Sequence, residues 1–389
     1  MNSAVQKYPA TWLLFSASVL TGTATTLLGP ILPLLMHHWH LQDRQAGLLF
    51  AAQFLGAFTG GISINHHLRR ALLISSASAV AGWGIFAIAI MRNNGLPLAL
   101  AALLLAGFGV GHLLTATNLV IGERNAHRRG SGLTLLNAFF SAGAILSSLV
   151  IGNLALRLPL THLIFSFAGC FALIFAGFVT HNLQTRSSAA ILSDNTQSSA
   201  SQQFPGINLR VLLFFAAMLF LYGGVETSIN SWISTYTVRH GSAALWLGVA
   251  SASAFWIAIT AGRAISVAML ARVSERIVLS VSLTATAFAL YVVIFVHTGW
   301  QIAAASLLTG LCLAPVFPTN FSLLLAQRPR ARQAGSILAV SGLGAAFLPW
   351  ATGIVSTHTS SLQAGLVLPL LATLALLMMS LVTPRSTTR

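Results

Sequence analysis

Apolar residues run along this chain in long stretches separated by short polar or basic clusters, and a stretch able to cross roughly 30 Å of hydrocarbon recurs twelve times. The pattern predicts membrane-spanning helices at about 10–36, 45–65, 71–91, 96–121, 131–156, 160–181, 209–236, 243–270, 277–296, 300–325, 333–356 and 361–383. The segment 182–208 breaks it. Ser, Gln, Asn and Thr crowd into SSAAILSDNTQSSASQQ, which predicts a flexible linker. The fold expected is an all-α membrane protein of twelve transmembrane helices in two pseudo-symmetric halves, with a six-helix bundle over 1–181, the linker over 182–208 and a second bundle over 209–389. Gly56 and Arg70 match Gly262 and Arg276 at an offset of 206, and Gly107 and Gly132 match Gly310 and Gly335 at 203. Parallel six-helix repeats imply a transporter with its site at the interface of the halves, near the midplane. The first apolar run carries no small-residue cleavage site after a short core, so it is expected to be retained as a helix.

Composition agrees with this reading and narrows it. The 389 residues are 56% hydrophobic and 6% charged, too little charge for a water-soluble surface. The net charge of +15 would suggest nucleic acid in a soluble chain, but here the basic residues sit in short runs between apolar segments and set topology. Fifteen of them fall on the side of the termini and four opposite (Arg44, Arg92, Arg157, Arg239), while Arg263 is intramembrane. By the positive-inside rule both termini and the linker are expected in the cytoplasm, in a bacterial inner membrane. Five acids leave no material for metal cages or paired-carboxylate catalysis, and Cys170 and Cys312 have no ligand spacing. No cofactor, metal or nucleotide loop is expected, and the chain is read as a monomer and not an enzyme.

Glu226, in FLYGGVETSINSW, lies deep inside an apolar segment, where an ionisable group is costly and marks function. Counting from the start of the seventh segment places it roughly 25 Å along the helix. With no cation near it in sequence, burial suits it to exchange a proton. His112, in the middle of the fourth segment, is a second proton-carrying candidate. A sugar site needs flat apolar surface and neutral hydrogen-bonding groups. Trp232 and Trp256 are candidate platforms, and Gln53, Asn118, Asn137, Tyr222, Asn230 and Asn320 candidate polar contacts beside Glu226. Asn230 shares a helix face with Glu226 at i+4. Counting from the helix end puts Arg263 nearer the cytoplasm than Glu226 by about 10 Å, so it is not expected to pair with that acid directly. Pro315, Pro318 and Pro349 are expected to kink the tenth and eleventh helices, and Gly107 with Gly111 to permit close helix contact.

Several motifs resemble the major facilitator superfamily. Its loop 2–3 signature survives in part as Gly61-Ile62-Ser63-Ile64-Asn65-His66-His67-Leu68-Arg69-Arg70, and Glu123 followed by Arg129-Gly130 resembles the partner motif after the fourth helix. Closer still, FLYGGVETSINSW, SAFWIAITAGR, GLCLAPVFPTNFSLL and SGLGAAFLPWATG, with GFGVGHLLTATN and LTLLNAFFSAGA, are similar to the fucose permease and related sugar:proton symporters. The resemblance implies proton-coupled uptake of a neutral, hexose-like monosaccharide by alternating access. It also implies a cytoplasmic latch between the halves, built from Asn65, Arg69, Arg70, Glu123, Arg129, Arg263, Arg272 and Arg276. The group's acids in helices 1 and 4 are missing here, Leu114 standing at the second position, which leaves Glu226 to couple protons or leaves the carrier uncoupled. An exporter of sugars or lipophilic drugs is the alternative that the scarcity of acids favours, and a transport-inactive sugar sensor is the alternative outside transport.

Overall fold

The computed structural model describes residues 8–64, 67–92, 94–124, 129–189 and 206–383. All regular elements among them are helices: α1 (Thr11–Thr26), α2 (Leu28–Trp39), α3 (Asp43–Ile62), α4 (Leu68–Ile90), α5 (Leu96–Arg124), α6 (Arg129–Leu146, continued by a π turn over Ser147–Gly152), α7 (Leu160–Ala189), α8 (Leu209–Arg239), α9 (Leu245–Leu270), α10 (Glu275–Phe295), α11 (Gly299–Leu313), α12 (Val316–Ala326), α13 (Ala331–Thr359), α14 (Leu362–Gly365) and α15 (Val367–Leu381). Eleven spans are long and apolar enough to cross a membrane, and α1 with α2 makes a twelfth, bent by 44°. Most of the linker, and the gating candidate Asn65, lie outside the described residues.

Two differences from the sequence reading, and one agreement with it, have local causes. The first segment is broken at Leu27 rather than continuous, because Pro30 has no amide hydrogen to bond the Thr26 carbonyl and its ring crowds that turn. The tenth span breaks between Leu313 and Val316, where Pro315 stands and with Pro318 in the first turn beyond, as expected of prolines inside a helix. The sixth helix runs on to Ala189, past the anticipated boundary, since its Ser, Gln and Ala residues tolerate helix as well as linker. Side chains close several helix starts. Asn208 accepts from the Val211 amide, and Thr298 and Gln301 bond each other's backbone in a capping box.

Among the first six spans, α4 and α3 pack on α5, α1 on α6 and α7 on α4; among the last six, α13 packs on α8, α9 on α11, and α10 on α11 and α15. The α3–α5 contact is the closest kind available to helices. A methyl added at Gly56 would fall 2.1 Å from the Leu104 carbonyl oxygen, and one at Gly111 2.0 Å from that of Ala57, so bare backbones touch there. The first six spans meet the last six where α3 packs on α13, α2 on α8 and α9, and α6 with its π turn on α9.

Candidate functional site

The site is built where α8 and α9 run antiparallel. Tyr222, Glu226 and Asn230 recur at i, i+4 and i+8 and so share one face of α8, while Trp256, Thr260 and Arg263 recur at i, i+4 and i+7 on α9. Two polar rungs join the faces. Arg263 Nη2 donates to Glu226 Oε1 at 3.0 Å, and Trp256 Nε1 donates to Asn230 Oδ1 at 2.6 Å. The Tyr222 hydroxyl also donates to Glu226 Oε1, at 2.9 Å. The Arg263 and Glu226 side chains retain 29% and 18% exposure, so this ion pair meets open space rather than packed protein. Arg263 Nη1 stands 3.5 Å from Ser141 Oγ on α6, which brings a helix of the first six spans to the rung.

Arg263 is therefore the direct partner of Glu226, contrary to the depth argument from sequence. Helix ends mislead about depth here, because α8 has 31 residues, about 46 Å at 1.5 Å per residue, and so overhangs a hydrocarbon layer of roughly 30 Å. Its first residue is a poor ruler for depth, and the long arginine side chain covers the remaining offset.

Other candidates scatter. Trp232 is fully buried, donates its indole hydrogen to the Pro349 carbonyl and lies against Phe50 at 6.3 Å, so it is packing between α8, α13 and α3 and not an open platform. Trp256 is also buried and held by Asn230. The apolar surface beside the pair comes instead from α12, where the Phe317 ring lies 5.6 Å from Tyr222 and stacks on Phe321. Asn320, one turn beyond Phe317, is wholly buried with neither amide atom bonded. Gln53 donates to the Ala24 carbonyl and leaves its own Oε1 buried and unbonded. Asn118 donates to Leu114 within its helix, and Asn137 is exposed. His112 sits inside the first six spans, near Ser63 Oγ at 3.3 Å and the Phe108 ring, away from the ladder.

The ends of the molecule differ. At the end opposite the termini, Asp43 at the start of α3 accepts from Arg239 Nη1 at 2.6 Å and from Ser356 Oγ at 2.5 Å, tying α3 to α8 and α13. Sequence reasoning passed over this acid because it lies in a loop. Its signal was that it is the one acid placed among the far-side basic residues. At the end bearing the termini, the described polar contacts join neighbours of the same half. Tyr8 donates to Glu123, Arg124 bonds Pro9 and Thr11, Ser322 bonds Glu275, and Arg276 donates to the Thr383 carbonyl. Burial and the Glu123 carboxylate push the Tyr8 phenol upward. Arg70 and Arg272 are exposed, Arg69 is partly buried, and the Arg129 side chain is outside the described residues.

A family-wide sequence profile described as the Major Facilitator Superfamily matches residues 14–266. Bypass of stop codon protein 6 from Saccharomyces cerevisiae is 22% identical over 397 residues, covering 89% of this chain and 76% of that protein. Among solved structures, a D-xylose-proton symporter superposes with a TM-score of 0.77 at 13% identity, covering 97% of this chain and 98% of that one. The fucose:proton symporter FucP of E. coli superposes at 0.60 with 19% identity, covering 96% and 98%. At these identities the likeness shows the fold.

Proposed function

Because this chain belongs to the Major Facilitator Superfamily, and so is an integral membrane transporter rather than an enzyme, we propose that it moves a monosaccharide-class solute together with protons by alternating access. The observation that carries this reading is the Glu226–Arg263 pair. It is a carboxylate and a guanidinium, both partly exposed to the interior, beside aromatic surface from Phe317 and within reach of Ser141 from the first six spans. A site touched by both sets of helices changes when they rock, and a carboxylate there can bind a proton in one arrangement and lose it in the other. The structural neighbours are a D-xylose-proton symporter and a fucose:proton symporter, which supports the substrate class.

Residues 1–181 and 209–389 are the two rocking bodies of this proposal, joined by the linker. The excess of basic residues beside the termini supports a cytoplasmic position for that end, in a bacterial inner membrane. In this proposal the sealed far end faces outward. Glu123, Arg129, Arg272 and Arg276, with Arg69 and Arg70, form the latch that engages when the inner end closes. The test is uptake into proteoliposomes of a panel of radiolabelled sugars at two external pH values, comparing the parent with Glu226→Gln. Acid outside should drive accumulation in the parent and not in the variant. Accumulation by the variant would remove Glu226 from coupling, and failure of every solute to be taken up would end the transport reading.

A further inference from the structure

The Glu226–Arg263 pair constrains the charge of the solute. If Glu226 takes a proton while a neutral sugar binds, the guanidinium 3.0 Å away loses its anionic partner and stands as a lone cation inside the membrane. Nothing else described there can replace the carboxylate. Of the five acids, Asp43 is held by Arg239 and Ser356 at the far end, Glu123 by Tyr8 and Glu275 by Ser322 at the opposite end, and Asp194 lies in the linker. The titratable or charged groups in contact with Glu226 are Tyr222 on its own helix and Arg263 on α9. Of the other helices packed on α8, α13 and α15 bring no charged side chain to this depth, α2 carries its histidines at the far end, and α11 and α12 contribute Cys312 as their titratable group. The missing negative charge must therefore arrive with the solute.

The guanidinium is prepared for it. Glu226 engages Arg263 through one oxygen and one nitrogen, although the two groups are shaped for a two-bond fork. Arg263 Nε is buried with no hydrogen-bond partner, and Nη1 stands 3.5 Å from Ser141 Oγ. Asn320, buried with both amide atoms unbonded one turn beyond Phe317, is a second polar group lacking a partner on the helix that borders the site. The geometry points to a substrate bearing a single carboxylate, of the sugar-acid class: its carboxylate takes the fork of Arg263, its ring lies against Phe317, and its hydroxyls meet the neutral groups.

Resting on the reading of proton-coupled sugar transport, this revises the sequence-based expectation of a neutral hexose. The steps balance. A proton from outside adds to Glu226, the solute carboxylate replaces it on Arg263, and the loaded site holds one cation and one anion. After release inside, Glu226 gives up its proton and pairs with Arg263 again. Each crossing carries one proton and one monoanion, so no net charge moves, and neither the loaded nor the empty site contains an unpaired ion.

Purified protein in proteoliposomes tests this with D-glucuronate against D-glucose and L-fucose, under an acid-outside gradient with the membrane potential clamped at zero or inside-negative. D-Glucuronate uptake should be the same at both potentials. Its binding should tighten roughly tenfold per unit fall in pH while Glu226 is ionised, and lose that dependence in Glu226→Gln. Arg263→Lys, which keeps the charge and loses the fork, should raise the half-saturating D-glucuronate concentration at least about tenfold. Accelerated uptake of D-glucose or L-fucose at inside-negative potential, with D-glucuronate ignored, overturns the carboxylate proposal and leaves proton-coupled sugar transport standing. Uptake of none of the three overturns both.

Discussion

The two ends of the seam between the first and last six spans are made differently, and the difference shows how such a molecule closes. Far from the termini, backbone meets backbone. A methyl added at Gly29 would fall 2.2 Å from the Asn230 carbonyl oxygen, one at Gly353 2.4 Å from that of Asp43, and one at Gly47 2.9 Å from the Trp350 Cα. Along the same α3–α13 seam toward the termini the fit relaxes, since a methyl at Gly342 would meet Phe58 only at 3.7 Å. Asp43 then locks the tight end through Arg239 and Ser356, whereas the acids of the other end, Glu123 and Glu275, serve bonds inside their own halves. Sealing depends on the absence of side chains, and charge only fastens what glycine lets approach.

The contrast breaks hardest at Gly29. Gly29→Val forces α2 away from α8 at a cost of about 3 kcal/mol, roughly a hundredfold against the sealed state. Transport should nearly vanish, and a cysteine placed at Ser356 should become reactive from the far side. Unchanged rates would mean that the glycine contact is not the seal. Asp43→Asn should act more gently, because Arg239 is 45% exposed and solvent screens the pair. A loss of about 1 kcal/mol, roughly fivefold in population, should appear as faster far-side labelling, and exchanging the two charges (Asp43→Arg with Arg239→Asp) should restore part of it.

A smaller effect concerns His240, which follows Arg239 at the sealed end, stacks on Tyr236 and lies 5.3 Å from the His297 ring. Burial first, then the neighbouring imidazole, lowers its pKa. A base held low contributes stability above its ordinary range that is lost as pH falls through the folded value. Thermal stability should therefore drop on acidification, and His240→Gln should flatten that drop. Smallest of all, Gly335→Ala at the end bearing the termini should leave transport within about twofold of the parent and raise helix stability by up to about 1 kcal/mol. A large loss there would show that this end closes as tightly as the other.

Much of the architecture was legible in the chain. Twelve spans follow from apolar length alone, and the break of the tenth from Pro315 and Pro318, because these are local consequences of hydrocarbon thickness and a missing amide hydrogen. Tyr222, Glu226 and Asn230 could be placed on one face from their spacing. The partners of that face could not. Helix depth read by counting residues excluded Arg263, since overhang and tilt are set by neighbouring helices and leave no mark in the segment's own sequence. Trp232 and Trp256 looked alike as candidate platforms, yet one is wedged among α3, α8 and α13 while the other completes a rung of the ladder.

By itself the sequence determined that this protein lies in a membrane, how many times it crosses, and that a single acid sits deep in the seventh span, because each of these depends on one segment and its solvent. Tertiary structure alone decided that the acid is half of an ion pair, that α12 supplies the aromatic surface, and that Asp43 rather than a terminal-side residue fastens the seam. Those are contacts between helices up to hundreds of residues apart in the chain. In a chain with so few charges, the function of each depends on which opposite charge packing brings to it.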